Sequence, residues 1–80
     1  MITSAQIRAG RALLKWNVAT LAAHANVGTA TVQRMEVMEG VPSGNVRTLI
    51  AIQSALEAAG IEFVGSPDNA PGVRLHQLSQ

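Results

Sequence analysis

Up to Gly60 the apolar positions recur at the three-to-four spacing of helices with one buried face; beyond it the period shortens to two. Thr3 and Ser4 are N-cap candidates for a first helix through AQIRAGRALLKW. Within it Ile7, Gly10 and Leu14 fall on one face with Leu13 adjoining, while Arg8 and Lys15 share another. Gly10 costs the helix about 1 kcal/mol relative to Ala, which marks a close-packing position. Asn17 is placed to cap a short second helix, VATLAAHA, with Leu21, Ala22 and Ala25 inward. Asn26 tolerates the left-handed conformation and ends that helix in a tight turn. Gly28 or Thr29 caps a third helix, TATVQRME, which turns Val32 and Met35 inward.

The segment VMEGVPSG reads as a loop, and Ser43 as the cap of a longer helix through GNVRTLIAIQSALEAAG. Its buried stripe is expected from Val46, Leu49, Ile50 and Leu56, with Ile52 at the edge and Gly60 as the stop. Ile61–Val64 and Val73–Leu75 are short β-type runs joined by the turn formers GSPDNAPG, which predicts a hairpin. Strands this short need support, either from the fourth helix or from a dimer partner. The tail HQLSQ is expected to fray. The chain thus divides into a helical unit, residues 1–60, and a packing or dimerisation element, residues 61–80.

Composition narrows the possibilities. The 80 residues suffice for one core, and 48% of them are hydrophobic. With one Trp and one Phe the core must come mainly from Ala, Val, Leu and Ile, which favours closely approaching helices. The absence of Cys excludes disulfides, thiol chemistry and thiolate metal sites. No apolar run approaches the roughly 20 residues that span a bilayer. The start, MITSAQIRAGR, lacks the pattern of a signal peptide, so a cytoplasmic location is expected. The net charge is only +1, but residues 1–35 carry Arg8, Arg11, Lys15 and Arg34 without an acid (+4), whereas residues 36–80 sum to −3. One basic half suits a polyanion.

Residues 17–36 carry the strongest signal. Leu21, Ala22, Ala25, Val27, Val32 and Met35 form the apolar set of two helices crossing at a tight turn. Ala22 lies four residues before Asn26, where a crossing helix demands a small side chain. At this point the stretch VATLAAHANVGTATVQRME, followed by EGVPS and the helix TLIAIQSALEAAG, resembles the helix-turn-helix family of phage repressors and Cro proteins, the XRE family. The resemblance covers roughly residues 3–60. It implies a mainly α, compact four- to five-helix lambda-repressor-like domain, here with a short C-terminal β-hairpin, and a sequence-specific DNA-binding transcriptional regulator of the repressor type. Helix 29–36 would enter the major groove of double-stranded DNA, and a homodimer would read two half-sites.

The same resemblance implies residue roles. Gly28, Thr29, Ala30, Gln33 and Arg34 occupy the outward positions of the recognition helix. Gln33 would pair with adenine and Arg34 with guanine or a phosphate, each good bidentate contact contributing about 1–3 kcal/mol of discrimination. Thr29 and Ala30 would touch a phosphate or a thymine methyl, and Asn17 would present the second helix's N-terminal amides to a phosphate. Arg11 and Glu36 match a structural salt bridge between helices one and three. Two positions depart from the family pattern: Val18 replaces a DNA-contacting Gln, and the loop Val37–Asn45 carries Glu39 and no cation. Few phosphate contacts remain, so affinity is expected to be modest and dependent on dimerisation.

The alternative reading is a small antiactivator that captures another regulatory protein through an apolar patch of Val18, Val37, Met38 and Val41. Other chemistry finds little support. His24 and His76 lack a third ligand for zinc. Glu36 and Glu39 are committed to structure and loop, no GK[ST] follows Gly40 and Gly44, and Trp16 reads as a core plug between helices one and two. No nucleophile–base arrangement exists, so neither an enzyme nor a cofactor is expected.

Overall fold

The computed structural model describes residues 1–76; residues 77–80 of the tail expected to fray lie outside the described residues. Four helices, α1 (Ser4–Leu13), α2 (Val18–Ala25), α3 (Thr29–Glu36) and α4 (Val46–Ala58), precede two strands, β1 (Ile61–Ser66) and β2 (Asn69–Leu75). The strands pair antiparallel, with Ile61 opposite Leu75 and Phe63 opposite Val73, and the register shifts between Val64 and Ser66. Gly65 sits at that irregularity with φ +74, where a Cβ would fall 2.0 Å from the Ala70 carbonyl oxygen.

The lambda-repressor-like bundle of four to five helices is corrected by this architecture. The structure is a small domain of four helices whose C-terminal element is a two-stranded hairpin, and no fifth helix follows α4 among the described residues. The physical reason is local. Gly60 leaves α4 at φ +108, and the segment after it alternates with period two and contains Pro67 and Pro71, which break a helix interior, and Gly65 and Gly72, which weaken one. Ile61, next after Gly60, is buried in the common core. The hairpin is therefore integral to the helical unit.

Local signals set most boundaries. Thr3 caps α1 in a capping box: its hydroxyl accepts from the Gln6 N–H (3.1 Å) and its own N–H donates to Gln6 Oε1 (2.8 Å). Asn17 Oδ1 accepts from the Thr20 N–H (2.8 Å), capping α2. The caps of α3 and α4 are Gly28 and Asn45, so Ser43 lies outside the helix it was expected to cap. Helix α1 is shorter than its apolar spacing suggests. Lys15 adopts φ +58 and the Trp16 N–H bonds back to the Arg11 carbonyl (3.0 Å), so Arg8 and Lys15 share no helical face.

The core joins Ile7 of α1, Leu21 and Ala22 of α2, Val32 and Met35 of α3, Leu49, Ile52 and Leu56 of α4, and Ile61 of β1. Ile52, expected at the stripe's edge, is 0% exposed and central, whereas Val46 and Ile50 are 55% and 51% exposed. The spacing explains the difference. Leu49, Ile52 and Leu56 follow the 3.6-residue period, and Ile50, one residue after Leu49, is rotated about 100° out of the stripe. Trp16 is half-buried against the core, and its ring stacks on His24 with centroids 4.2 Å apart.

Candidate nucleic-acid interface

The α2–α3 pair is built by its turn. Asn26 takes the left-handed conformation (φ 57°, ψ 46°) that its side chain tolerates. The Val27 N–H then bonds to the Ala22 carbonyl (3.0 Å) and the Asn26 N–H to that of Ala23 (3.2 Å), closing α2. Ala22 is buried beneath the crossing, and half-buried Val27 packs against the core. Gly28 caps α3 without a side-chain hydrogen bond.

Helix α3 buries Val32, Met35 and Glu36. Gly28, Thr29, Ala30, Gln33 and Arg34 are all exposed, as is Asn17 at the start of α2. Helical spacing places Ala30 opposite the buried residues, with Gln33 and Arg34 flanking it. The side-chain hydrogen bonds and ion pairs between α1 and α3 use Ser4, Arg8, Arg11 and Glu36, with Asn17 and Thr20 paired in the α2 cap. Among the described residues, Gln33 and Arg34 have no such partner, so their donors and acceptors face solvent.

Arg11 and Glu36 form the expected bridge. Arg11 Nε donates to Glu36 Oε2 (2.8 Å) and Nη2 to Oε1 (2.9 Å), while Nη1 donates to the Trp16 carbonyl (3.1 Å). The hydrogen bond to Glu36 raises the Arg11 pKa above its ordinary value against the opposing effect of burial. Arg11 is accordingly not available to a polyanion.

Two further residues support this end of α3: Ser4, an N-cap candidate by sequence whose place as cap Thr3 takes, and Arg8, expected on a basic face. Ser4 Oγ donates to the Met35 carbonyl (2.5 Å), and the Arg8 guanidinium donates to the Glu36 carbonyl. Ser4, Arg8 and Arg11 follow each other at i, i+4 and i+7, so one stripe of α1 engages the last turn of α3. Carbonyls there lack intrahelical partners, which α1 supplies. The spacing was visible in the sequence, but its target was not. Arg8, counted as part of the basic half, thus spends a donor inside the domain.

The apolar patch of the alternative reading is reduced. Val37 is 79% exposed, but Val18 and Val41 are half-buried against the core and Met38 is half-buried. Glu39 is exposed in the loop after α3. On the hairpin, His76 Nε2 lies 2.5 Å from Glu62 Oε1, and Arg74 Nε lies 3.9 Å from the same oxygen. The hydrogen bond from His76, then the Arg74 charge, lower the Glu62 pKa. No helix among the described residues is long and apolar enough to cross a membrane. No protein-family model matches this chain, and no curated protein matches it.

Proposed function

We propose that this protein is a sequence-specific DNA-binding transcriptional regulator of the repressor type, acting in the cytoplasm, that places α3 in the major groove. The observation that carries the reading is the outward face of α3. Thr29, Ala30, Gln33 and Arg34 are exposed together on a helix whose other side is locked into the core, and neither Gln33 nor Arg34 has an internal partner among the described residues. Gln and Arg are the side chains whose paired donors and acceptors match adenine and guanine edges. Asn17, the α2 cap, is exposed as well, and the amides of a helix N-terminus suit a phosphate.

With Arg11 and Arg8 engaged internally, the cations free to meet phosphates are few, and one α3 alone binds weakly. The regulator therefore acts as a homodimer whose two α3 helices read half-sites one helical turn apart. Selection of duplexes from a random pool, followed by anisotropy titration of the selected site, tests the reading. Arg34→Ala is expected to lose at least about tenfold in affinity with the fold intact. Selection that yields no preferred duplex, or a variant that binds as tightly as the wild type, would overturn it.

A further inference from the structure

Val37 lies just past the end of α3 and is the most exposed large apolar side chain among the described residues, at 79%. Its backbone is still helical (φ −101°, ψ −2°), so Ala30, Gln33, Arg34 and Val37 continue one stripe at i, i+3, i+4 and i+7. This stripe runs opposite Val32, Met35 and Glu36, the buried side of α3. Val37 thus shares the face on which Gln33 and Arg34 present their polar groups.

The position is also held firmly. The carbonyls of Met35 and Glu36, immediately before it, accept hydrogen bonds from Ser4 and Arg8 of α1. A β-branched side chain has few χ1 rotamers, so Val37 offers solvent an ordered apolar surface. The apolar feature that the major groove presents is the thymine methyl group.

We propose that Val37 is a specificity-determining residue that reads a thymine methyl at the C-terminal end of the α3 face, an inference that rests on the DNA-binding reading above. Seven residues separate it from Ala30, about 10 Å along the helix, so its thymine lies about three base pairs from the pair that Ala30 meets. Polar contacts by Gln33 and Arg34 fall between these two apolar ends.

The test couples one protein methyl pair to one DNA methyl. Each thymine of the selected duplex is replaced singly by deoxyuridine, and affinities are measured by anisotropy for the wild type and for Val37→Ala. The variant changes an exposed side chain, and its circular dichroism spectrum verifies the fold. One replacement is expected to weaken wild-type binding about fourfold and to leave Val37→Ala binding unchanged. Replacements that affect both proteins equally would overturn the role of Val37 while sequence-specific binding by α3 stands. A selection yielding no preferred duplex would overturn the DNA reading and this inference with it. An unchanged duplex affinity with loss of a bound protein partner in the variant would assign Val37 to protein capture instead.

Discussion

Arg11 and Glu36 meet through two hydrogen bonds, 2.8 and 2.9 Å, and thereby fasten α1 to the end of α3. The Glu36 side chain is 6% exposed and that of Arg11 23%, so the pair is largely withdrawn from water. Removing one partner of such a pair strands a charge, at a cost of about 3–5 kcal/mol. Arg11→Ala is therefore expected to destabilise the domain by about that amount in urea unfolding. The double change Arg11→Met with Glu36→Leu should recover most of the loss, because neither charge is then buried alone. A loss below about 1 kcal/mol in Arg11→Ala would show the pair to be solvated.

Gln6 performs three tasks with one amide. Its Oε1 accepts from the Thr3 N–H, and its Nε2 donates to the carbonyls of Val64 (3.1 Å) and Gly72 (2.9 Å). One buried side chain of α1 thus holds both strands of the hairpin. Gln6→Ala leaves these groups without their partner and is expected to cost about 2–4 kcal/mol. Amide hydrogen exchange checks the location of the damage. Protection should fall first across residues 61–75, and a uniform fall over the whole domain would contradict the role.

Gly10 lies in α1 facing the hairpin and α4. A Cβ built there would meet Ile61 side-chain atoms at 3.5 and 3.6 Å and Leu56 Cδ1 at 3.6 Å, ordinary contact distances. The methyl group fits, and helix propensity then dominates. Gly10→Ala should stabilise the domain by about 0.5–1 kcal/mol, read as a raised urea midpoint at unchanged slope. A lowered midpoint would mean that the α1–hairpin contact is tighter than these distances.

The pH dependence of the hairpin follows from Glu62. His76, then Arg74, lower its pKa in the folded chain below the ordinary carboxylate value of 4.5. A lowered folded pKa contributes stability that is fully present above the unfolded value and is lost as pH falls through the folded one. The wild-type hairpin should therefore lose stability in acid below about pH 4.5, over a range that Glu62→Gln removes. Thermal unfolding of both proteins from pH 7 to pH 3 checks this. Parallel curves would exclude Glu62 as the titrating group.

What was legible in the sequence was local. Asn26 in the left-handed turn, Thr3 and Asn17 as caps, Gly60 as a stop and the outward side of α3 all follow from neighbours within a few residues. The outward positions Ala30, Gln33 and Arg34 were readable because the periodicity that buries Val32 and Met35 turns them to solvent, whereas the DNA-contacting roles proposed for these and for Asn17, Gly28 and Thr29 came only from the family resemblance. What escaped depends on distant partners. Gln6 meets Val64 and Gly72 across 58 and 66 residues of chain, a pairing no spacing encodes. Lysine has no preference for the left-handed conformation that Lys15 adopts, so the end of α1 carried no signal. The fifth helix allowed by the resemblance gave way to the hairpin because residues 61–75 obey their own alternation and turn chemistry.

The most direct test of the central claim is an amide-resolved NMR titration of the full chain with short duplex DNA at low and moderate salt. The account predicts shifts concentrated at Asn17 and from Gly28 to Val37, weakening as salt rises because phosphate contacts release counterions. An intact fold showing no shifts at low salt, or shifts confined to the hairpin, would contradict it.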